Sequence, residues 1–102
     1  MKSYKVFNFK RFKNISGELL PITFDKKFPI KVKRIFFIYG KKKYKRGDHA
    51  HKKCSQVFYP ISGKAQITIE SKKKKKNLIL NYKENRAMLV SQRTRCDVKF
   101  LT

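Results

Sequence analysis

His49 and His51 are the two histidines of the chain. They stand two residues apart in Arg46-Gly47-Asp48-His49-Ala50-His51-Lys52-Lys53-Cys54-Ser55-Gln56. In an extended backbone, side chains at i and i+2 point to the same face of a sheet, so both imidazoles would project together into whatever that sheet encloses. Imidazole is the side chain whose unperturbed pKa lies near neutrality. Two of them in one pocket suit proton transfer or metal binding.

The rest of the chain supplies strands to build such a pocket. Period-two alternation runs nearly throughout, and no segment carries a convincing helical apolar stripe. Tyr4 to Phe9 reads as a first strand. Asn14 to Gly17 is a turn, and Glu18 to Phe24 reads as a second strand, placed at an edge because Pro21 lacks an N–H. Lys31 to Tyr39 is expected as a strand with Arg34, Phe36 and Ile38 on one face and Ile35, Phe37 and Tyr39 on the other. Two faces so apolar predict burial on both sides or a contact between two copies. Gly40 to Lys45 is a basic loop leading into the histidine segment, where Gly47 is expected to make a turn before the strand.

Further strands follow over Ser55 to Ile61, Ala65 to Glu70, Leu78 to Tyr82, Ala87 to Val90 and Asp97 to Leu101. Ser62-Gly63-Lys64 is a short turn with glycine placed for positive φ. Lys72 to Lys76 is expected as a solvated hairpin tip, with a phosphate-attracting patch as the functional reading. Lys41, Lys42, Lys43 and Lys45 carry more functional weight because they lead into the histidines. Short strands separated by turns at this spacing predict an all-β sandwich or barrel.

A chain of 102 residues is one small domain, spanning 1–102, for which pairing with a second copy would help bury a core. The 28 lysines and arginines face 6 acidic residues, giving a formal charge of +22 that favours an anionic partner. These lysines are spread through many loops and no nucleic-acid motif accompanies them, so no specific nucleic acid is expected. The first residues lack the apolar run of a signal peptide, and no stretch approaches the roughly 20 apolar residues of a membrane helix. Cys54 and Cys96 are isolated thiols without metal-type spacing. A reducing cytoplasm without a membrane partner is the expected setting.

At Arg46-Gly47-Asp48-His49-Ala50-His51-Lys52-Lys53 the chain resembles the nucleotide-sugar 3,4-ketoisomerases of the cupin superfamily, the WxcM-like or FdtA-like group, which carry an R-G-x-H-A-H-K motif. Ser16-Gly17-Glu18-Leu19 resembles their early R-G-x-L turn, with serine in place of arginine. Ile30 to Tyr39 is similar to their I-K-R-V-Y-x-I strand, and Gln56-Val57 and Ser62-Gly63-Lys64 match downstream positions. The likeness covers most of residues 4 to 90.

The resemblance implies a cupin-type jelly roll (double-stranded β-helix) and a homodimer with exchanged N-terminal strands. It implies an isomerase that moves a keto group between C4 and C3 of a dTDP-4-keto-6-deoxyhexose, serving surface-polysaccharide biosynthesis. His49 and His51 match the family's acid/base pair. Arg46 and Arg34 match positions serving the nucleotide sugar, and an aromatic such as Phe36 or Tyr39 is expected either to stack on the base or to belong to the core. Gln56 is counted with the substrate-binding residues. The carbonyl shift takes a proton from C3 and delivers one to C4 through an enediol, with no redox cofactor. Metal-binding cupins follow H-x-H with a glutamate and a third histidine. Gln56 stands at the glutamate position and the third histidine is missing, so no metal is expected.

Two departures from the family pattern stand out. Arg95-Cys96-Asp97 occupies the place of a W-H-E-like triplet, and relatives continue past residue 102 into further strands and a helix. These departures motivate an alternative expectation: a truncated, catalytically degenerate cupin that binds a nucleotide sugar or a partner protein.

Overall fold

The computed structural model describes residues 4–50, 55–71 and 74–102; at 47–50 and 71 the backbone alone is described. Among these residues there are nine strands and no helix. They are β1 (Tyr4–Asn8), β2 (Phe12–Asn14), β3 (Gly17–Leu19), β4 (Lys45–Ala50), β5 (Gln56–Phe58), β6 (Lys64–Ser71), β7 (Lys74–Asn81), β8 (Arg86–Val90) and β9 (Arg95–Phe100). They assemble into a three-stranded sheet in the order β1-β8-β5, a four-stranded sheet in the order β4-β9-β6-β7, and the separate hairpin β2-β3. The described pairings are antiparallel. The all-β class expected from the pattern is what forms, in the two-sheet arrangement of the jelly roll that the resemblance implied.

The alternation of Ala65-Gln66-Ile67-Thr68-Ile69-Glu70 explains how the core is built. One set of β6 residues points inward: Ile67 and Ile69 are buried, joined by Val98 and Cys96 from β9 and Leu80 from β7. Met88 and Val90 of β8 close the core from the other sheet, with Tyr4, Phe58 and Phe100 packed at its margin. The opposite β6 set contains Gln66 and Thr68, which share rows with Ile79 and Asn77 on the outer face. A shallow groove lined by Gln66, Asn77, Ile79 and Thr102 lies on that outer face.

Turns follow the local chemistry. Asn14 Oδ1 accepts from the Ser16 backbone N–H (2.9 Å) and hydroxyl (2.7 Å), closing the β2-β3 hairpin over Gly17 at φ +143°. Gly63 adopts φ +68° before β6, the left-handed conformation expected of it. Gly40 has a different reason to be glycine: a Cβ there would collide with the Phe100 ring.

Arg11 ties the small hairpin to the body. Its Nε donates to Asn85 Oδ1 (2.7 Å), one Nη donates to the Tyr82 carbonyl (2.9 Å), and the other approaches Glu18 at 3.4 Å. A planar guanidinium meets three partners that diverge in this way, where a single ammonium would not.

Four local expectations are corrected. Lys31 to Tyr39 forms no strand, and Ile35, Phe36, Phe37 and Tyr39 are exposed. Alternation marks a segment able to pair, but among the described residues no sheet edge of the same chain receives this one. The second strand is not Glu18 to Phe24 but ends at Leu19 within the hairpin, ahead of Pro21. Gly47 lies inside β4, at a register shift, rather than in a turn before it. Lys74, Lys75 and Lys76 belong to β7, paired with Ser71, Glu70 and Ile69, and are not a hairpin tip. Lysine suits an exposed edge strand because its charge discourages edge-to-edge association.

Candidate functional site

The histidine segment enters the four-stranded sheet as its edge strand β4, pairing with β9. Lys45 opposes Lys99, Arg46 opposes Val98 and Gly47 opposes Asp97; then the register shifts and His49 opposes Cys96. Asp48 is the extra residue of this bulge. Without it, Asp48 would oppose Cys96 and His49 would oppose Arg95, one row further on. Bulges next to active sites commonly re-aim a strand in this way.

The register across all four strands shows which row His49 has joined. Cys96 pairs with Ile69, and Ile69 with Lys76, so the row reads His49, Cys96, Ile69, Lys76. Cys96 and Ile69 are both buried. His49 therefore occupies a position in a core-facing row. The parallel row through Arg46 reads Val98, Ile67, Leu78 and is likewise core-facing, although Arg46 itself, on the edge strand, is exposed.

Gln56 comes from the opposing sheet. It starts β5 opposite Val90, which pairs on its other side with Tyr4. Val90 and Cys96 belong to one core cluster, so the Gln56 row and the His49 row meet across the interior. Gln56 is half-buried and engaged with other groups. Of the residues singled out in the sequence, Gln56 is half-buried, His49 holds a register position in a core-facing row, and Arg46 is exposed on the edge strand. His51 lies outside the described residues, as do Cys54, Lys72 and Lys73.

Arg34 and Tyr39 are placed elsewhere. Arg34 is exposed, its guanidinium 5.3 Å from the Phe36 ring centroid. Tyr39 is 85% exposed and precedes Gly40, which packs on Phe100 at the other end of β9 from Cys96. Within one chain these two do not join the histidine row.

Cys96, directly opposite His49, was legible only as a departure from a motif; the register gives it a place in the site. Burial first, and then the neighbouring Asp97 carboxylate, push its thiol above its ordinary value. It is a free thiol held in its neutral form, a weak acid and a weak nucleophile at neutral pH. Lys76, at the far end of the same row, belongs to the lysine stretch that the sequence placed at a hairpin tip. Its Nζ stands 5.2 Å from the centroid of the Tyr4 ring, bridging the margins of the two sheets.

The family described as WxcM-like, C-terminal (FdtA) matches residues 2–100, nearly the whole chain. The chain belongs to that family. It is 36% identical over 67 residues to a TDP-4-oxo-6-deoxy-alpha-D-glucose-3,4-oxoisomerase of Aneurinibacillus thermoaerophilus, an alignment covering 65% of this chain and 48% of that protein. The match therefore spans about half the length of the curated relative. The fold superposes on a 3,4-ketoisomerase from Helicobacter canadensis with TM-score 0.89 and 28% identity, covering 100% of this chain and 77% of that one. It also superposes on QdtA, a sugar 3,4-ketoisomerase of Thermoanaerobacterium thermosaccharolyticum solved with TDP, with TM-score 0.89 and 25% identity, covering 98% and 73% of the two chains. The cupin-type jelly roll of this WxcM-like chain is thus shared with structurally characterised sugar ketoisomerases. Among its described residues, no helix is long and apolar enough to cross a membrane.

Proposed function

We propose that this WxcM-like chain is a nucleotide-sugar 3,4-ketoisomerase acting on a dTDP-linked 4-keto-6-deoxyhexose, with His49 and His51 as the proton-transferring pair. The observation that carries the reading is the register shift at Asp48, which sets His49 into the row of buried Cys96 and Ile69. The core-facing register of this position supports the choice of His49 as a proton-transferring group. The relatives named as 3,4-ketoisomerases supply the reaction class.

In the reaction, one imidazole removes the proton on C3, giving an enediol; a proton is then delivered to C4 while the C3 oxygen becomes the carbonyl. Proton count and oxidation state balance within the substrate, so no external oxidant or reductant enters. Arg46 is suited to an anionic group of the substrate, because guanidinium offers paired N–H donors to phosphate. Gln56 lies across the interior as a neutral hydrogen-bonding group.

The reading extends to a homodimer. Ile35, Phe36, Phe37 and Tyr39 form an exposed apolar stretch in a segment without a strand partner, and a second copy is the occupant that would cover it. Arg34 and Tyr39 would then reach substrate only in that assembly. A second reading, a nucleotide-sugar binder without turnover, draws on Cys96: a neutral buried thiol opposite His49 is poor at acid/base work.

The test separates the two. Ketoisomerase activity predicts histidine-dependent conversion of TDP-4-keto-6-deoxyglucose, with His49→Asn and His51→Asn each lowering the rate by about 10²–10⁴-fold. Tight binding of TDP with no conversion selects the second reading.

A further inference from the structure

The rows of the four-stranded sheet bring its lysine-rich strand to the same end as the histidine. Beyond the His49-Cys96-Ile69-Lys76 row, the next row reads Ala50, Arg95, Glu70, Lys75, and Ser71 opposes Lys74 beyond that. Lys74, Lys75, Lys76 and Arg95 are exposed, and Glu70 is the one carboxylate in those rows. Asp48, the bulged residue, has no place in them.

Lys41, Lys42 and Lys43 lie at the other end of the sheet, where the Lys43 N–H donates to the Phe100 carbonyl. Lys45 shares its row with Lys99, Gln66 and Ile79 on the outer face. The later cluster therefore shares the histidine's end of the sheet, and Lys41, Lys42 and Lys43 do not.

Lys76 is exposed and touches the margin of the core. It sits in the same row as buried Ile69 and Cys96, and its ammonium over the Tyr4 ring stands at the margin where the two sheets meet. Three strand spacings separate its position from His49, roughly 14 Å at about 4.8 Å each. That distance is too long for a lysine there to touch a sugar held at His49. It is short enough for several lysines to act on an approaching anion at low salt, where the Debye length exceeds it.

We propose that Lys74, Lys75 and Lys76 form an electrostatic approach surface that draws a nucleoside-diphosphate substrate to the histidine end of the sheet. The proposal rests on the ketoisomerase reading for the identity of the substrate. These lysines act on encounter and touch no reacting atom. A cleft margin bearing one sign of charge raises the local concentration of the opposite sign and speeds association. Their neutralisation therefore lowers kcat/KM through the association rate and leaves kcat at saturating substrate unchanged.

The probe is TDP, with its association followed by stopped-flow fluorescence in wild type, in Lys74→Gln/Lys75→Gln/Lys76→Gln, and in Lys41→Gln/Lys42→Gln/Lys43→Gln as the opposite-end control. At low salt the first triple variant is expected to slow association roughly tenfold and to flatten its salt dependence. The control changes it far less, although it removes the same formal charge. A Lys→Arg triple variant at 74–76 retains the wild-type rate. Wild type itself must associate more slowly as salt rises, a result that needs no variant to fold. Salt-independent association of wild type overturns the proposal, as does an equal loss in the two glutamine triples. Lysine-dependent TDP association without any keto shift leaves the approach surface standing and removes the ketoisomerase reading. A keto shift indifferent to the three lysines does the reverse.

Discussion

Replacing Ile69 by alanine tests whether the row that holds His49 faces the core. Ile69 is 3% exposed and lies between Cys96 and Lys76 in that row. The substitution removes three carbons, about 2.4 kcal/mol at roughly 0.8 kcal/mol per buried methylene. The cavity left behind adds to this, so a loss of about 3 kcal/mol is expected, within the usual 2–5 kcal/mol for such truncations. In a domain of this size that lowers Tm by roughly 12–24 °C, at about 4–8 °C per kcal/mol. Ile79→Ala is the matched control, since Ile79 is 47% exposed and belongs to the outer row with Gln66. With half its surface already in water, it should lose only about 1 kcal/mol. The assay is thermal and urea unfolding followed by circular dichroism, at one protein concentration so that any self-association contributes equally. Equal losses in the two variants, or a larger loss at Ile79, would refute the assignment of faces and with it the interior placement of the His49 position.

The remaining predictions concern Cys96, Arg11 and the exposed stretch. In a Cys54→Ser background, native Cys96 should react with a thiol reagent far more slowly than the unfolded chain does, because burial and Asp97 hold it neutral. A thiol whose folded pKa is raised stabilises the fold below its ordinary value of 9.0, and that contribution is lost as pH rises towards the folded value. Unfolding midpoints should therefore fall more steeply above pH 9.0 in the Cys54→Ser protein than in the same protein carrying Cys96→Ala. Arg11→Ala should cost about 1–3 kcal/mol, since it strips Asn85 and the Tyr82 carbonyl of a charged donor; Arg11→Lys should recover little of this in the same melts, and a full recovery would contradict the role given to the guanidinium fork. If a second copy covers the 31–39 stretch, the protein sediments as a dimer and Phe37→Asp shifts it towards monomer; a monomeric wild type contradicts the assembly.

How much was legible follows from what each pattern measures. Ala65 to Glu70 alternates so regularly that β6, its inward residues and its outward ones could be read directly, and the structure extends that strand at both ends. The histidine segment shows no such alternation, and its extended form rested on the two-residue spacing of the histidines and on the motif around them. At Lys31 to Tyr39, alternation reports which side chains favour burial, while a strand also needs an edge to pair with, and that edge is not a local property. The lysines at 74–76 read as a loop because lysine has little strand preference of its own; opposite Glu70 and Ile69, the pairing decides instead.

The least legible feature is the one that matters most to the site. Nothing around Asp48 announces a bulge, since the shift is defined only against β9, about fifty residues later in the chain. Cys96 was visible as a substitution in a motif, but its position opposite His49 comes from that same register. Arg34 stood out by its motif position and Tyr39 as an aromatic able to stack on a base, and within one chain both face solvent.

The central claim is a keto shift carried by His49 and His51. Proton NMR in D2O, with folded protein and TDP-4-keto-6-deoxyglucose, tests it directly. The account predicts exchange of the C3 proton for deuterium and appearance of the 3-keto product, with both changes lost in His49→Asn and His51→Asn. Conversion at an unchanged rate in both variants, or none by folded wild-type protein that binds TDP, would contradict it.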